Sequence, residues 1–312
     1  MDHPVRRGLR RSFGAALLAL TLAGTAACST LDDADPGSSS DDATSAVEDK
    51  IVTPKRYVAL GDSFTSAPFV PDSFSAEGCF RSTGNYPALV AKELPETEVV
   101  DVSCSGADTT HLTGPQSTAL GGQVPPQFEA LTEETDLVTV GIGGNDFEVY
   151  GTMTSTCPTL AAEDQRGAPC RDEMRRGGKD TLLASIERTG KRVTKVVEGI
   201  RERSPDARIL LVNYPQLTPT KGRCEALPLA RGDYAYSVEV GGRLDSVLRD
   251  VAEQTEVELV DLWSASEGHD ICSDEPWTNG SLTDFARALE YHPFAEGQRA
   301  AADLVLETLG LS

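Results

Sequence analysis

An α/β fold, with a parallel sheet covered by helices on both faces, follows from three features of this chain. Short apolar runs alternate with helical patterns from Tyr57 onward. The longer helical patterns lie between the later runs, where parallel strands need crossovers. Several runs end directly in glycine-bearing turns, as strands do at a sheet edge.

The elements read in order as follows. Tyr57-Val58-Ala59-Leu60 is a strand entering a turn at Gly61. Tyr86 to Leu94 reads as a helix, and Val99 to Val102 as a second strand leading into Ser103 to Gly106. Leu137 to Ile142 is a third strand, ending in Gly143-Gly144. Leu182, Ile186, Val193, Val197 and Ile200 recur on one helical face, and Ser204-Pro205 ends that helix. Ile209 to Val212 and Val257 to Leu262 are the fourth and fifth strands. Between them Leu244, Val247, Leu248 and Val251 mark another helix, and a last one runs from about Glu296 to Leu309. Regions 65–84, 147–178 and 215–235 exceed what connections need and are expected to wall a pocket. No internal repeat is present.

The N-terminus is organised differently. Arg6, Arg7, Arg10 and Arg11 precede an apolar stretch from Phe13 to Thr25, too short to span a bilayer comfortably. Thr25-Ala26-Ala27 then lead to Cys28, so residues 1–28 read as an export signal with a lipoprotein-type cleavage site. Cys28 would be the lipidated residue, although Thr25 stands where an aliphatic side chain is more usual. Residues 29–53 are rich in Ser, Asp, Ala and Gly and read as a disordered acidic linker. The domain proper is 54–312.

The net charge of −21 argues against nucleic acid and against docking on anionic lipid by charge. Apart from Cys28, the cysteines are Cys79, Cys104, Cys157, Cys170, Cys224 and Cys272. An even set in an exported chain suggests disulfides. Sequential pairing, Cys79–Cys104, Cys157–Cys170 and Cys224–Cys272, closes the shortest loops and is favoured. The scarcity of histidine and of close CxxC spacing argues against zinc.

Ser63, Gly106 and Asn145 each follow a predicted strand, at the edge where open α/β sheets bind ligands. Together with a histidine they supply acyl transfer. Ser63 would be the nucleophile, although a serine there also suits a helix cap. The Ser63 N–H, the Gly106 N–H and the Asn145 amide would hold an oxyanion. Gly-Gly-Asn-Asp at 143–146 alone would equally be a plain turn. His292, fixed in extended backbone by Pro293, is favoured as base over His269 and His111.

Gly61-Asp62-Ser63, Gly106, Asn145 and His292 resemble, in order and rough spacing, the four blocks of the SGNH hydrolases, also called the GDSL esterase/lipase family. The resemblance covers nearly all of residues 55–309. Cys79 with Arg81-Ser82-Thr83, Asp101 to Gly106, Gly268 to Cys272 and Pro276-Trp277 are similar to exported actinobacterial members. The resemblance implies a three-layer α/β/α sandwich of flavodoxin type with a five-stranded parallel sheet, three disulfides, and no cofactor or metal. It carries over Ser63 and His292 as catalytic residues, and Ser63, Gly106 and Asn145 as oxyanion donors. Three positions depart from the family pattern. Leu289 stands where Asp is usual three residues before the histidine, Phe294 where Asn is frequent, and Gln298 where His is frequent. The Leu289 carbonyl is therefore expected to orient His292 in a Ser-His dyad, with Glu290 or Asp284 as carboxylate alternatives.

The expected function is an exported esterase or lipase acting on a small-molecule or lipid ester. The alternatives are an acetyl-carbohydrate esterase and a catalytically weak lipoprotein that binds acyl or glycan ligands. Phe69, Phe74, Phe80 and Trp277 would line an acyl groove or form loop core. The expected form is a monomer, without nucleic-acid partners, held at the membrane by an N-terminal lipid if Cys28 is modified.

Overall fold

The computed structural model describes residues 53–74 and 76–311. Residues 1–28 with Cys28, and positions 29–52 of the linker, lie outside the described residues.

Five strands form the central sheet: β1 (Arg56–Gly61), β2 (Glu98–Asp101), β3 (Leu137–Gly141), β4 (Arg208–Val212) and β5 (Glu258–Val260). All pair in parallel, in the order β2-β1-β3-β4-β5. This is the flavodoxin-type order, whose switch point lies between β1 and β3. Tyr57 there pairs with Val99 on one side and Leu137 on the other.

The faces separate by residue parity. Val58, Leu60, Val138, Val140 and Leu211 pack in one core with two long helices, Thr181–Arg203 and Asp233–Gln254. Tyr57, Ala59, Leu137, Leu210 and Val212 pack in the other with Tyr86–Glu93 and Ala295–Leu309. In chain order the helices that matter are α1 (Ser63–Ser66), α2 (Tyr86–Glu93), α3 (Cys157–Glu163), α4 (Pro169–Met174), α5 (Thr181–Arg203), α6 (Asp233–Gln254) and α7 (Ala295–Leu309). The three inner strands β1, β3 and β4 are buried on both faces and so appear in the sequence as near-continuous apolar runs. The fifth strand is shorter than its apolar run, since Leu262 already begins a helical turn capped by Asp261.

α5 starts where the Asp180 carboxylate accepts the Leu182 and Leu183 N–H groups at 3.1 and 2.9 Å. Its predicted apolar face, Leu182 to Ile200, is buried throughout. The disulfides are Cys79–Cys104, Cys157–Cys170 and Cys224–Cys272. The first ties the segment before β2 to the turn after it, and the Ser105 N–H also reaches the Cys79 carbonyl at 3.1 Å. The second joins α3 to α4, and the third joins two loops beyond the C-terminal ends of β4 and β5.

Candidate active site

β1 delivers the chain to Asp62 and Ser63 at the switch point. The cap of α1 is Asp62, whose Oδ1 accepts the Phe64 N–H at 2.9 Å, so the Ser63 hydroxyl is not used as a cap. The first N–H of a helix has no intrahelical acceptor, which leaves the Ser63 N–H available. The Gln127 side-chain amide pairs with both the N–H and the C=O of Gly61, each at 2.8 Å. Gln298 Nε2 donates to the Phe64 carbonyl at 2.8 Å, while its Oε1 accepts the Tyr86 N–H at 2.8 Å. The residue at this departure from the family pattern therefore ties α7 to α1 and α2.

Asp62 itself is fully buried. Its Oδ2 accepts from the Tyr214 hydroxyl at 2.5 Å, and that hydroxyl accepts the Gly144 N–H at 2.8 Å. Burial pushes the Asp62 carboxyl up to about 7, against the opposing pull of the Tyr214 hydrogen bond. Burial likewise pushes Tyr214 and Tyr150 well above the usual phenol value.

Gly106 follows β2 with φ of +78°, in the left-handed region. A Cβ there would meet nothing closer than Gln116 Nε2 at 3.9 Å, so its conformation, more than close approach, calls for glycine. Among the described residues its N–H makes no backbone hydrogen bond. Asn145 follows β3. Its Nδ2 donates to the Ala107 carbonyl at 2.8 Å, which spends one of two amide hydrogens and joins the two turns. Gly144 is a matter of space, since a Cβ would lie 2.3 Å from Tyr150 Cε2. Asp146, fully buried, accepts from the Thr109 N–H at 3.0 Å, the Thr109 hydroxyl at 2.6 Å and Arg192 at 2.8 Å.

His292 lies on the loop before α7. Its Nδ1 is 2.6 Å from the Glu290 carbonyl oxygen, not the Leu289 carbonyl expected from the sequence. Tyr291 adopts φ of +60°, and this left-handed step turns the chain so that the carbonyl two residues back meets the ring. The Leu289 carbonyl instead accepts the His292 backbone N–H at 3.2 Å. Neither Glu290 nor Asp284 offers a carboxylate oxygen to the ring within hydrogen-bond distance. A carbonyl can only accept, so Nδ1 carries the proton and Nε2 keeps a free lone pair. Burial holds the His292 pKa below its usual 6.5, against the smaller opposing effects of the Glu290 carbonyl and charge.

The other histidines have structural partners. His111 Nδ1 accepts the Asp108 N–H at 3.0 Å in a helix cap. His269 Nδ1 is 2.7 Å from the Glu275 carbonyl, and its ring stacks on Trp277 at 4.4 Å.

A cavity of about 450 Å³ brings Ser63, Asn145 and His292 together, with Tyr150, Leu217 and Leu289 among its apolar walls. Gly106 is not among its lining residues, and its place is on the adjoining turn tied through Ala107. Two of the long loops, 147–178 and 215–235, supply walls through Tyr150 to Pro158 and through Leu217 and Pro228. The 65–84 loop supplies none. Phe69 packs on Phe80 at 5.6 Å instead, and Trp277 packs on His269 and the α2–α7 core. The side chain of Phe74 lies outside the described residues. A larger open cleft of about 960 Å³ between α5 and α6, lined in part by Glu187, Glu239 and Arg243, holds none of the motif residues. Among the described residues no group of three or more His, Cys, Asp or Glu is placed to hold a metal ion.

Tyr150 and Leu217 lie in loops expected to wall a pocket, whereas Tyr214 and Gln127 were not anticipated. Tyr214 had a usable signal, because it follows β4 at the same sheet edge. Gln127 acts on Gly61 across 66 residues, a distance that local pattern does not register.

The profile of the GDSL-like lipase/acylhydrolase family matches residues 59–300. Lipase 2 of Streptomyces coelicolor is 34% identical over 263 residues, covering 82% of this chain and 86% of that protein. A lipase of Streptomyces rimosus is 30% identical over 260 residues, covering 82% and 87%. The crystal structure of phospholipase A1 from Streptomyces albidoflavus NA297 superposes with a TM-score of 0.68 at 27% identity, covering 81% of this chain and 99% of that one. A family profile spanning most of the domain, relatives covered nearly end to end and the shared fold lead to one conclusion: the chain belongs to the GDSL-like lipase/acylhydrolase family and is a carboxylic ester hydrolase.

Proposed function

We propose that the protein is an exported lipase or esterase that hydrolyses acyl lipid-type esters through a Ser63–His292 dyad. The observation that carries this reading is the cavity shared by Ser63, Asn145 and His292, with the His292 Nδ1 engaged by the Glu290 carbonyl. Nε2 takes the Ser63 hydroxyl proton as Oγ attacks the ester carbonyl carbon. The resulting oxyanion is held by the Ser63 N–H, the Gly106 N–H and the unspent hydrogen of Asn145 Nδ2. Nε2–H then protonates the departing alcohol. Water, deprotonated by the same nitrogen, then attacks the acyl carbon, and Nε2–H returns the proton to Ser63 Oγ as the acid leaves. The Glu290 carbonyl fixes the tautomer throughout and offers the imidazolium a partial negative charge where related sites use a carboxylate.

Export follows from the basic and apolar leader over 1–28, with anchoring through a lipid on Cys28. Support comes from a structural relative described as an extracellular lipase, that of Streptomyces rimosus, with a TM-score of 0.66 at 26% identity. Among the described residues no helix is long and apolar enough to cross a membrane.

Hydrolysis of p-nitrophenyl esters from acetyl to palmitoyl, by the oxidised domain beside Ser63→Ala, tests the reading. Turnover should fall at least about a thousandfold in the variant. A preference for longer acyl chains is expected. A preference confined to acetyl would favour an acetyl esterase, and turnover independent of Ser63 would sink the dyad.

A further inference from the structure

Three large apolar side chains are exposed among the described residues, and two of them share one loop: Leu282 at 81% and Phe285 at 77%. Singly exposed apolar residues are ordinary, but a pair beside a catalytic cavity is not. The same loop turns Ser281, Leu289 and Glu290 towards the cavity that holds Ser63 and His292. The exposed pair therefore stands on the loop that walls part of the cavity, Leu282 next to the lining residue Ser281.

The loop is braced in this shape. Asn279 Nδ2 contacts the carbonyls of Leu282, Ala288 and Leu289 at 2.9, 3.0 and 3.2 Å. Asp284 and Ala288 exchange both backbone hydrogen bonds, at 3.0 and 2.8 Å, so the intervening residues form a closed tip. The Leu289 N–H reaches the Pro68 carbonyl at 3.1 Å. The Arg287 guanidinium lies 4.0 Å over the Phe294 ring, which draws that charge back against the protein. Phe69 meets the Phe285 ring edge-on at 5.1 Å and supports it from behind. The tip is thus held out in water without having to reorder on binding, which lowers the entropic cost of insertion.

Charge selects the partner. The chain carries −21 overall, and the loop's ionisable groups, Asp284, Arg287 and Glu290, give no positive excess. An anionic surface is therefore disfavoured, and an apolar tip gains by entering an interface without net charge.

We propose that Leu282 and Phe285 form a docking tip that inserts into a lipid surface of no net charge, bringing the cavity mouth to the acyl esters there. This rests on reading the cavity as the hydrolytic site. It is tested without turnover, so the two can fail separately. Sedimentation of the domain with vesicles of ether-linked phosphatidylcholine, which cannot be hydrolysed, should show binding. Leu282→Ser with Phe285→Ser should weaken it by about tenfold or more, from the apolar area withdrawn from the interface. Melting temperatures report that the variants fold. Leu120→Ser, which removes the third exposed side chain from a separate hairpin, should leave binding unchanged. Phe285→Trp should bind and shift its added emission to the blue on vesicle contact. The proposal is overturned by absence of wild-type binding, by undiminished binding of the folded double variant, by an equal loss in Leu120→Ser, or by tighter binding to phosphatidylglycerol vesicles. Loss of Ser63-dependent ester turnover with vesicle binding intact would instead count against the dyad.

Discussion

Ser63 sits on a turn braced by side chains from distant parts of the chain, whereas His292 sits on a loop braced by carbonyls from its own neighbourhood. The Ser63 side draws Gln127, Tyr214 and Gln298 to Gly61, Asp62 and Phe64. Those residues come from the two faces and the edge of the sheet, so the turn is part of the core. The histidine side relies mainly on the Glu290 and Leu289 carbonyls and on Asn279 of the same loop, with one tie to the distant Pro68 carbonyl. The Ser63 turn should therefore resist change until the fold itself is weakened, and the His292 loop should lose function first.

Asn145 joins the turns after β2 and β3 and gives the largest expected effect outside the dyad. Asn145→Ala should lower kcat by about 10²–10³, as loss of one oxyanion donor does elsewhere, with KM little changed. A rise in KM with kcat intact would place Asn145 in ground-state binding.

The comparison itself is broken or kept by two further variants. Tyr214→Phe leaves the Gly144 N–H and an Asp62 oxygen without their shared partner in a buried site, at a cost of about 1–3 kcal/mol in stability. Asn279→Ala removes the brace of the histidine loop and should depress turnover more than it lowers the melting temperature. Equal melting shifts in the two variants, with equal losses of turnover, would show that the two sides are coupled alike. Asp62 adds a pH term to the first side. Its carboxyl holds a proton up to about 7 in the folded chain against an ordinary value of 3.8, so it contributes stability that is fully present below pH 3.8 and lost as pH rises through about 7. Asp62→Asn should flatten that part of a melting-temperature profile.

The same contrast explains what the sequence disclosed. The inner strands were legible because burial on both faces leaves an apolar run, as at Leu137 to Val140. Ser63, Asn145 and His292, which one cavity brings together, could be singled out because Ser63 and Asn145 follow strands and each of the three carries a motif. The orienting carbonyl was misplaced by one residue, from Leu289 to Glu290, because nothing in the sequence signals a left-handed tyrosine at 291. Tyr214 and Gln298 were missed as braces because their partners lie 152 and 234 residues away. Composition left Phe69 and Phe80 open between groove and loop core, and their contact with each other settles them as loop core.

The finest distinction on the histidine side is between the backbone and the side chain of Glu290. Burial places the His292 pKa below 6.5, and the proposed base is its neutral imidazole, so kcat/KM should stay high as pH falls to 6.5 and drop only at lower pH. The Glu290 carboxylate raises that pKa by its charge, while the carbonyl fixes the tautomer. Glu290→Gln keeps the carbonyl and removes the charge. The acid limb should then move to still lower pH, and kcat at pH 8 should be nearly unchanged. A fall approaching the roughly 10⁴ seen when a triad loses its carboxylate would mean that the side chain orients the ring during turnover. An acid limb moving upward would mean that the charge acts on some group other than His292.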